Sequence, residues 1–396
     1  MIAFLLAPIY LLVNFYILRW LFRFLAACFR RFNNRIVKNI AGTGYLFLCT
    51  SPLIAFFIPL SSFQRHIARI SNYWLGIFLY IFLTAAILEL FHIAVKRSKT
   101  LQRCFPVTQK TFIRVGTLCV SLVVFISFYG IYEARNIKTT TYNIEIESES
   151  YADGQMKVVL IADLHMGYSI GYRQIEKMVD KINEREPDLV CIAGDIFDNH
   201  YESLDNPERI KNALQGIQSR YGVYACYGNH DYEEKILAGF TFSQGEDVYV
   251  GDKMKKLLED ADIQTLEDEA VLIHDQFYVV GRKDYSSKKK SGIYRKTPEE
   301  LIQNLDKRKP ILVIDHQPRE LEELSRAGVD LDLCGHTHDG QMFPGNLLTD
   351  LMWENSYGYL KKGEMHNIVT SGVGIFGPYM RVGTKSEIVE INIDFH

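Results

Sequence analysis

The chain has 396 residues, too many for one ordinary compact domain, and its formal charge of −3 at pH 7 hides a division. Residues 1–138 hold 16 Lys and Arg against two acids, Glu89 and Glu133, a net of +14, so the remainder carries −17. The basic, apolar front argues against a wholly soluble protein, and the acidic back argues against a polyanion such as duplex DNA as natural partner.

Four apolar stretches come first, near Ile2–Phe22, Ala41–Leu60, Tyr73–Val95 and Val115–Tyr132. Each approaches the ~20 residues that a helix needs to cross a bilayer. The first has no basic segment ahead of it and is followed by further spans, which argues against a cleaved signal peptide. Arg19, Arg23, Arg30, Arg31, Arg35 and Lys38 lie at the end of the first stretch and in the loop after it, and Lys96, Arg97, Lys99, Arg103, Lys110 and Arg114 follow the third. The intervening loop has only Arg65 and Arg69, and the fourth stretch is followed by Arg135 and Lys138. The positive-inside rule makes the two rich loops cytoplasmic, so the spacing predicts an extracytoplasmic C-terminal domain. Glu89 and His92, near the cytoplasmic end of the third stretch, are placed where side chains snorkel.

From residue 133 a connector leads into an edge strand with alternating Tyr142, Ile144 and Ile146. Strand and helix then alternate: strand 158–162, helix 172–186, strand 189–193, helix 207–220, strand 223–226, helix 253–261, strands 270–273 and 277–281, helix 298–306, strand 311–314, helix 318–327, strand 331–334, and closing strands 367–370 and 387–393. That order is an α/β signature. Two stretches read as loops, the Lys-rich 286–296 and the aromatic 343–362; the second could bind substrate, dip toward lipid or cap the core. Of seven cysteines, Cys191, Cys226 and Cys334 fall in strands and read as small buried hydrophobes rather than thiolate ligands, since no CxxC pair is present.

Five blocks close these strands: Asp163-Leu164-His165, Gly194-Asp195-Ile196-Phe197-Asp198, Gly228-Asn229-His230-Asp231, Asp315-His316 and Gly335-His336-Thr337-His338. Ligand-type side chains therefore gather where strands give way to loops, the usual place for active sites in open α/β sheets. Hydrolysis of a phosphate ester needs a nucleophile stronger than water and positive charge for the phosphoryl oxygens, which two neighbouring divalent cations supply. Carboxylate, imidazole and amide are the donors that such a pair requires, and the blocks contain them. His66, His200, His274, His366 and His396 lack such surroundings and are given ordinary roles.

The ordered D-x-H, GDxxD, GNHD, isolated His and GHxH series resembles the calcineurin-like metallophosphoesterases over roughly residues 139–396. The surroundings of Asp315-His316-Gln317-Pro318 and of Gly335 to Gln341, and the segment from Gly372 to Thr384, resemble the bacterial membrane-associated phosphoesterases of that superfamily. The resemblance implies an αββα two-sheet sandwich in residues 139–396, preceded by an all-α membrane domain in residues 1–135. By matched position, Asp163, His165 and His338 are expected to bind one metal, Asn229, His316 and His336 a second, and Asp195 to bridge them. His230 is expected to act as general acid, oriented by Asp198. Two divalent ions, of Mn, Fe or Zn, are the implied cofactors.

Asn199 stands where phosphoprotein phosphatases carry a phosphate-clamping arginine, and Asp339 stands where many relatives have Gly. Arg282 and Arg381 are candidates for phosphate contact, against the alternative that each is tied to a carbonyl or an acid. The expected activity is hydrolysis of a phosphomonoester, phosphodiester or pyrophosphate, on a lipid-linked or envelope substrate beside membrane lipids, with no nucleic acid partner. The alternatives are a non-catalytic phosphate-binding membrane receptor or scaffold, and a nuclease.

Overall fold

A hydrogen-bond ladder runs past the apolar core of a helix until a cap or breaker stops it, so the membrane-type helices are longer than their apolar runs. In the computed structural model, which describes residues 2–396 apart from 60, 107, 149–150, 152–153, 199, 233–234, 238–239, 243–249 and 287–293, they are α1 (Ile2–Cys28), α2 (Arg35–Phe57), α3 (Ser62–Arg97), the short α4 (Lys99–Cys104) and α5 (Gln109–Arg135). Asn34, Ser61 and Ser98 cap α2, α3 and α4 by accepting from Ile36, Gln64 and Leu101 backbone N–H. Four of these helices are long and apolar enough to cross a membrane. Arg19, Arg23, Arg65 and Arg69 lie inside helices rather than in loops as the apolar runs suggested, because those helices extend through them.

The chain divides into two compact units, one built on Met1–Ile131 and one on Tyr132–Lys235, Thr241–Phe376 and Met380–His396. In the first, polar side chains join the apolar helices: the Tyr10 hydroxyl accepts from Trp74 Nε1 and donates to Cys49 O, both at 2.8 Å, and the Tyr45 hydroxyl donates to Asn14 Oδ1 at 2.8 Å. The Tyr16 hydroxyl donates to Glu89, so that acid has a partner.

The second unit is a sandwich of two six-stranded sheets. Its strands are β1 (Ile137–Ile146), β2 (Gln155–Ile161), β3 (Leu189–Ala193), β4 (Val223–Cys226), the short pair β5 (Lys235–Leu237) and β6 (Phe240–Phe242), β7 (Ile263–Thr265), β8 (Glu269–Ile273), β9 (Phe277–Gly281), β10 (Ile311–Ile314), β11 (Leu331–Cys334), β12 (Gly358–Lys362), β13 (Met365–Val369) and β14 (Ser386–Phe395). One sheet runs β1-β14-β2-β3-β4-β7 and the other β12-β13-β11-β10-β9-β8. Val158, Leu160, Leu312, Ile314, Leu331 and Leu333 belong to one buried cluster shared by both sheets. The helices are α6 (Tyr172–Asn183), α7 (Pro207–Gln215), α8 (Asp252–Glu259), α9 (Pro298–Ile302), α10 (Leu321–Ala327) and α11 (Gly345–Met352). The fold is the expected α/β sandwich of αββα type.

The stretch 343–362 departs from expectation: it holds α11 and the edge strand β12, which pairs antiparallel with β13. Its turn formers Pro344 and Gly345 sit at the start of the helix rather than across the segment. α7 ends at Gln215, earlier than its periodicity suggested, with Gly216 as C-cap. Cys191, Cys226 and Cys334 are fully buried free thiols.

Candidate metal centre

The central strands of both sheets end at one place. β2 delivers Asp163 and His165, β3 Asp195, β4 Asn229 and His230, β10 His316, and β11 His336 and His338. Backbone bonds zip the first two loops together, from Asp163 N to Gly194 O, His165 N to Asp195 O and Met166 N to Ile196 O, all at 3.0 Å. Asp163, His165, Asp195, His336 and His338 all have left-handed backbone, with φ between 44° and 73°. Non-glycine residues adopt that region rarely, and such strain gathers at functional sites.

The bend required for His336 and His338 to serve one pocket is present. The chain leaves β11 after Cys334 and passes through left-handed His336, right-handed Thr337 and left-handed His338. Asp163 fixes the start of this bend, accepting the His336 backbone N–H at 3.0 Å on both carboxylate oxygens.

Two groups of donors result, Asp163 with His165 and His338, and Asp195 with His316 and His336; within each group the ligand atoms lie within 4.8 Å of one another. His165 Nε2 and His338 Nε2 are 3.1 Å apart, as are His336 Nδ1 and His316 Nε2. Two nitrogens bonded to one cation at about 2.0–2.1 Å lie about 3.0–3.4 Å apart, so both pairs fit a shared metal. Asn229 Oδ1 lies 3.1 Å from His316 Nε2, which adds an amide oxygen to the second group. Asp195 Oδ2 lies 3.3 Å from His316 Nε2 and 3.7 Å from His165 Nε2, so one carboxylate oxygen faces both groups. Its other oxygen accepts the His230 backbone N–H at 2.7 Å. Gly228 makes that approach possible, because a Cβ built there would come 2.3 Å from Asp195 Oδ1.

Burial also sets the charges. It pushes Asp163 up to about 7 and, with Asp195 nearby, Asp198 to about 7 and Asp231 to about 8. Burial would raise Asp195 too, but His316, His230 and His165 hold it well below the usual carboxylate range. Desolvation drives His165 down to about 3 and His336 and His338 well below the ordinary imidazole value, leaving neutral rings with lone pairs to offer. His316 runs the other way: burial would lower it, but the Asp195 and Asp163 carboxylates raise it well above the ordinary imidazole value. Three neutral imidazoles and a fourth held against buried carboxylates form a donor set suited to divalent cations.

Several neighbours hold this geometry. Asp231 accepts from Phe197 N at 2.8 Å and Gly228 N at 2.7 Å, joining the β3 and β4 loops. The His230 ring stacks on Phe376 at 4.4 Å between centroids and lies 5.4 Å from His165. Among the described contacts no hydrogen bond joins Asp198 to the His230 ring. Asp339 lies outside both donor groups, Asn199 lies outside the described residues, as does most of the 286–296 loop, including Lys288–Lys290.

Arg381 and Arg282 follow the alternative reading. Fully buried Arg381 donates to the carbonyls of Ser371 and Gly374 at 2.6 and 2.7 Å. Arg282 pairs with Asp315 and Glu320 at 2.8 Å each, and Arg295 adds a 2.7 Å bond to Asp315. Asp315 precedes His316, so these guanidiniums brace the His316 loop and have little left for substrate.

The cation that sequence reasoning missed is Arg319. It is exposed, its guanidinium lies 4.4 Å from the Trp353 ring centroid and 4.7 Å from that of Tyr285, and Trp353 lies 5.1 Å from the His336 ring. Its Nε donates to Gln317 Oε1 at 3.0 Å, and among the described residues neither Nη has a hydrogen-bond partner. Its place next to Pro318 in the His316 block was the available signal.

The model of one family, the calcineurin-like phosphoesterases, matches residues 156–340. A metallophosphoesterase of Aquifex aeolicus is 30% identical over 278 residues, 69% of this chain and 97% of that protein. The chain belongs to the calcineurin-like metallophosphoesterases. Such a protein hydrolyses phosphoric ester bonds with divalent metals, and this member carries two groups of side chains able to hold them. A Helicobacter pylori strain J99 metallophosphoesterase is 28% identical over 72% of this chain and 71% of its own length. A zebrafish protein named "Transmembrane protein with metallophosphoesterase domain" is 26% identical, over 70% of this chain and 62% of its own. Together with the four apolar helices, that relative's name points to membrane association.

Proposed function

We propose that this metallophosphoesterase works through a dinuclear centre, with Asp163, His165 and His338 holding one ion, Asn229, His316 and His336 the other, and Asp195 shared. The observation that carries this is the single Asp195 oxygen facing both donor groups. Bound divalent cations supply positive charge for the phosphoryl oxygens and lower the pKa of a water. The protein's own part is to orient and to move a proton. Asp195 Oδ1 anchors the His230 backbone, and Phe376 fixes the plane of a ring able to protonate the departing oxygen. Asp198, half-buried nearby, is assigned to bias that ring, and Arg319 offers two Nη donors to a phosphate oxygen beside His336.

Residues 1–135 form the membrane domain and 139–396 the catalytic domain in this reading, with the latter on the extracytoplasmic face of a bacterial membrane. Four spanning helices confine the site near lipid, which favours a lipid-linked or envelope phosphoester over a freely diffusing one. The test is turnover of bis(p-nitrophenyl) phosphate by metal-stripped, Mn-reconstituted protein, with bound metal counted per chain. Two equivalents of metal and loss of turnover in Asp195→Ala and His230→Ala are expected; equal turnover in all three proteins, or one equivalent at saturation, overturns the mechanism.

A further inference from the structure

A surface helix ordinarily turns its apolar stripe toward the core and its polar side chains toward water. In α11 this arrangement is inverted. Leu347, Leu348, Leu351 and Met352, at i, i+1, i+4 and i+5, share one face and are 52%, 62%, 85% and 75% exposed. Phe343, just ahead of the helix, is exposed as well, and no residue of α11 is buried.

The polar edge is the side fixed to the protein. Asn346 Oδ1 is buried, and Asp350 accepts from the Ser356 hydroxyl at 2.5 Å. The backbone of α11 lies so close to Gly340, in the His338 loop, that a Cβ there would come 2.1 Å from Asn346 N. Leu272 is the other exposed large aliphatic side chain of the described catalytic unit, so the apolar exposure is concentrated on α11.

We propose that this face of α11 docks into the boundary between lipid headgroups and acyl chains. The chain carries four helices of membrane-spanning length, so a bilayer is always within reach of the unit they tether. An eight-residue helix with apolar side chains on one side and fixed polar groups on the other suits that boundary, where such a face sinks about 5–10 Å. Trp353 follows Met352 directly and touches both Arg319 and His336, so docking turns this edge of the metal centre toward lipid. The docking does not depend on which phosphoester is cleaved.

The test uses the full chain, with exposed Cys104 replaced by Ser, in vesicles of phosphatidylethanolamine and phosphatidylglycerol. A nitroxide is placed at Leu348→Cys, Leu351→Cys or Lys361→Cys, and collision with oxygen is compared with collision with a water-soluble nickel chelate. Preference for oxygen at 348 and 351, with preference for nickel at 361, is expected. Nickel preference at all three positions overturns the proposal, as does dipolar broadening between 351 labels, which assigns the face to a second copy. If a labelled variant does not fold, Leu351→Trp with brominated lipids replaces it, and quenching no greater than in the parent protein overturns the docking. Leu348→Asp with Leu351→Asp should keep hydrolysis of soluble bis(p-nitrophenyl) phosphate and lose hydrolysis of a vesicle-borne phosphoester. Absence of hydrolysis in the parent protein would count against the catalytic reading and leave the nitroxide result standing.

Discussion

The two donor groups use the same residue types but are supported differently. In the second, His316 Nδ1 donates to Ala193 O at 2.9 Å, which fixes the ring with Nε2 turned toward Asp195 and Asn229, and Asp315 beside it is braced by two buried arginines. In the first, among the described residues, His165 Nδ1 is buried without a hydrogen-bond partner and His338 Nδ1 has only a 3.4 Å contact with Arg381. A ring whose far nitrogen is held in place loses less freedom on binding metal, so in the proposed dinuclear centre the second group would be preorganised and the first would be completed by its ion.

Removing the oxygen that both groups share should erase the difference between them. Asp195→Ala is expected to lower turnover by at least about 10³-fold and to reduce metal content at both positions. Comparable metal content in variant and parent would break the comparison at its centre. Next in size is the order of metal release: chelator titration followed by metal analysis should show one equivalent leaving before the other, with affinities about 10–100-fold apart. His165→Ala should abolish the weaker step and leave the tighter one; loss of the tighter step would reverse the ranking.

Arg381 ties Ser371 and Gly374 to the His338 loop, beside the less supported group. Arg381→Met leaves those carbonyls without donors and should cost about 3 kcal/mol, read as a lower denaturant midpoint of the full chain in detergent. The smallest effect belongs to Arg319, beside the better supported group. Arg319→Ala should raise KM for p-nitrophenyl phosphate about tenfold with little change in kcat, and Arg319→Lys should recover part of it. An unchanged KM would remove Arg319 from the substrate's surroundings.

Much of this was legible along the chain. The strand-end blocks carry D-x-H, GDxxD, GNHD and GHxH, and strands β2, β3, β10 and β11 are apolar runs that periodicity identifies. The segment 343–362 was not legible as structure, because α11 spans two turns and exposes the apolar residues that a core helix would bury. Arg381 and Arg282 could not be told from substrate ligands by sequence, since a guanidinium bound to carbonyls and one awaiting phosphate are written with the same letter.

The sequence by itself determined the inventory: which side chains can give up a proton or a lone pair, in what order, and that apolar helices precede them. Local patterning carries that information because period and residue type are properties of the chain. Only the tertiary structure decided which donors meet. Asp163 and His338 stand far apart in sequence, and sheet pairing together with left-handed turns brings them to one point. Tertiary contacts also decided that Arg319 stays exposed while Arg381 is tied to carbonyls, and that α11 turns its leucines outward, because the partners responsible come from distant loops.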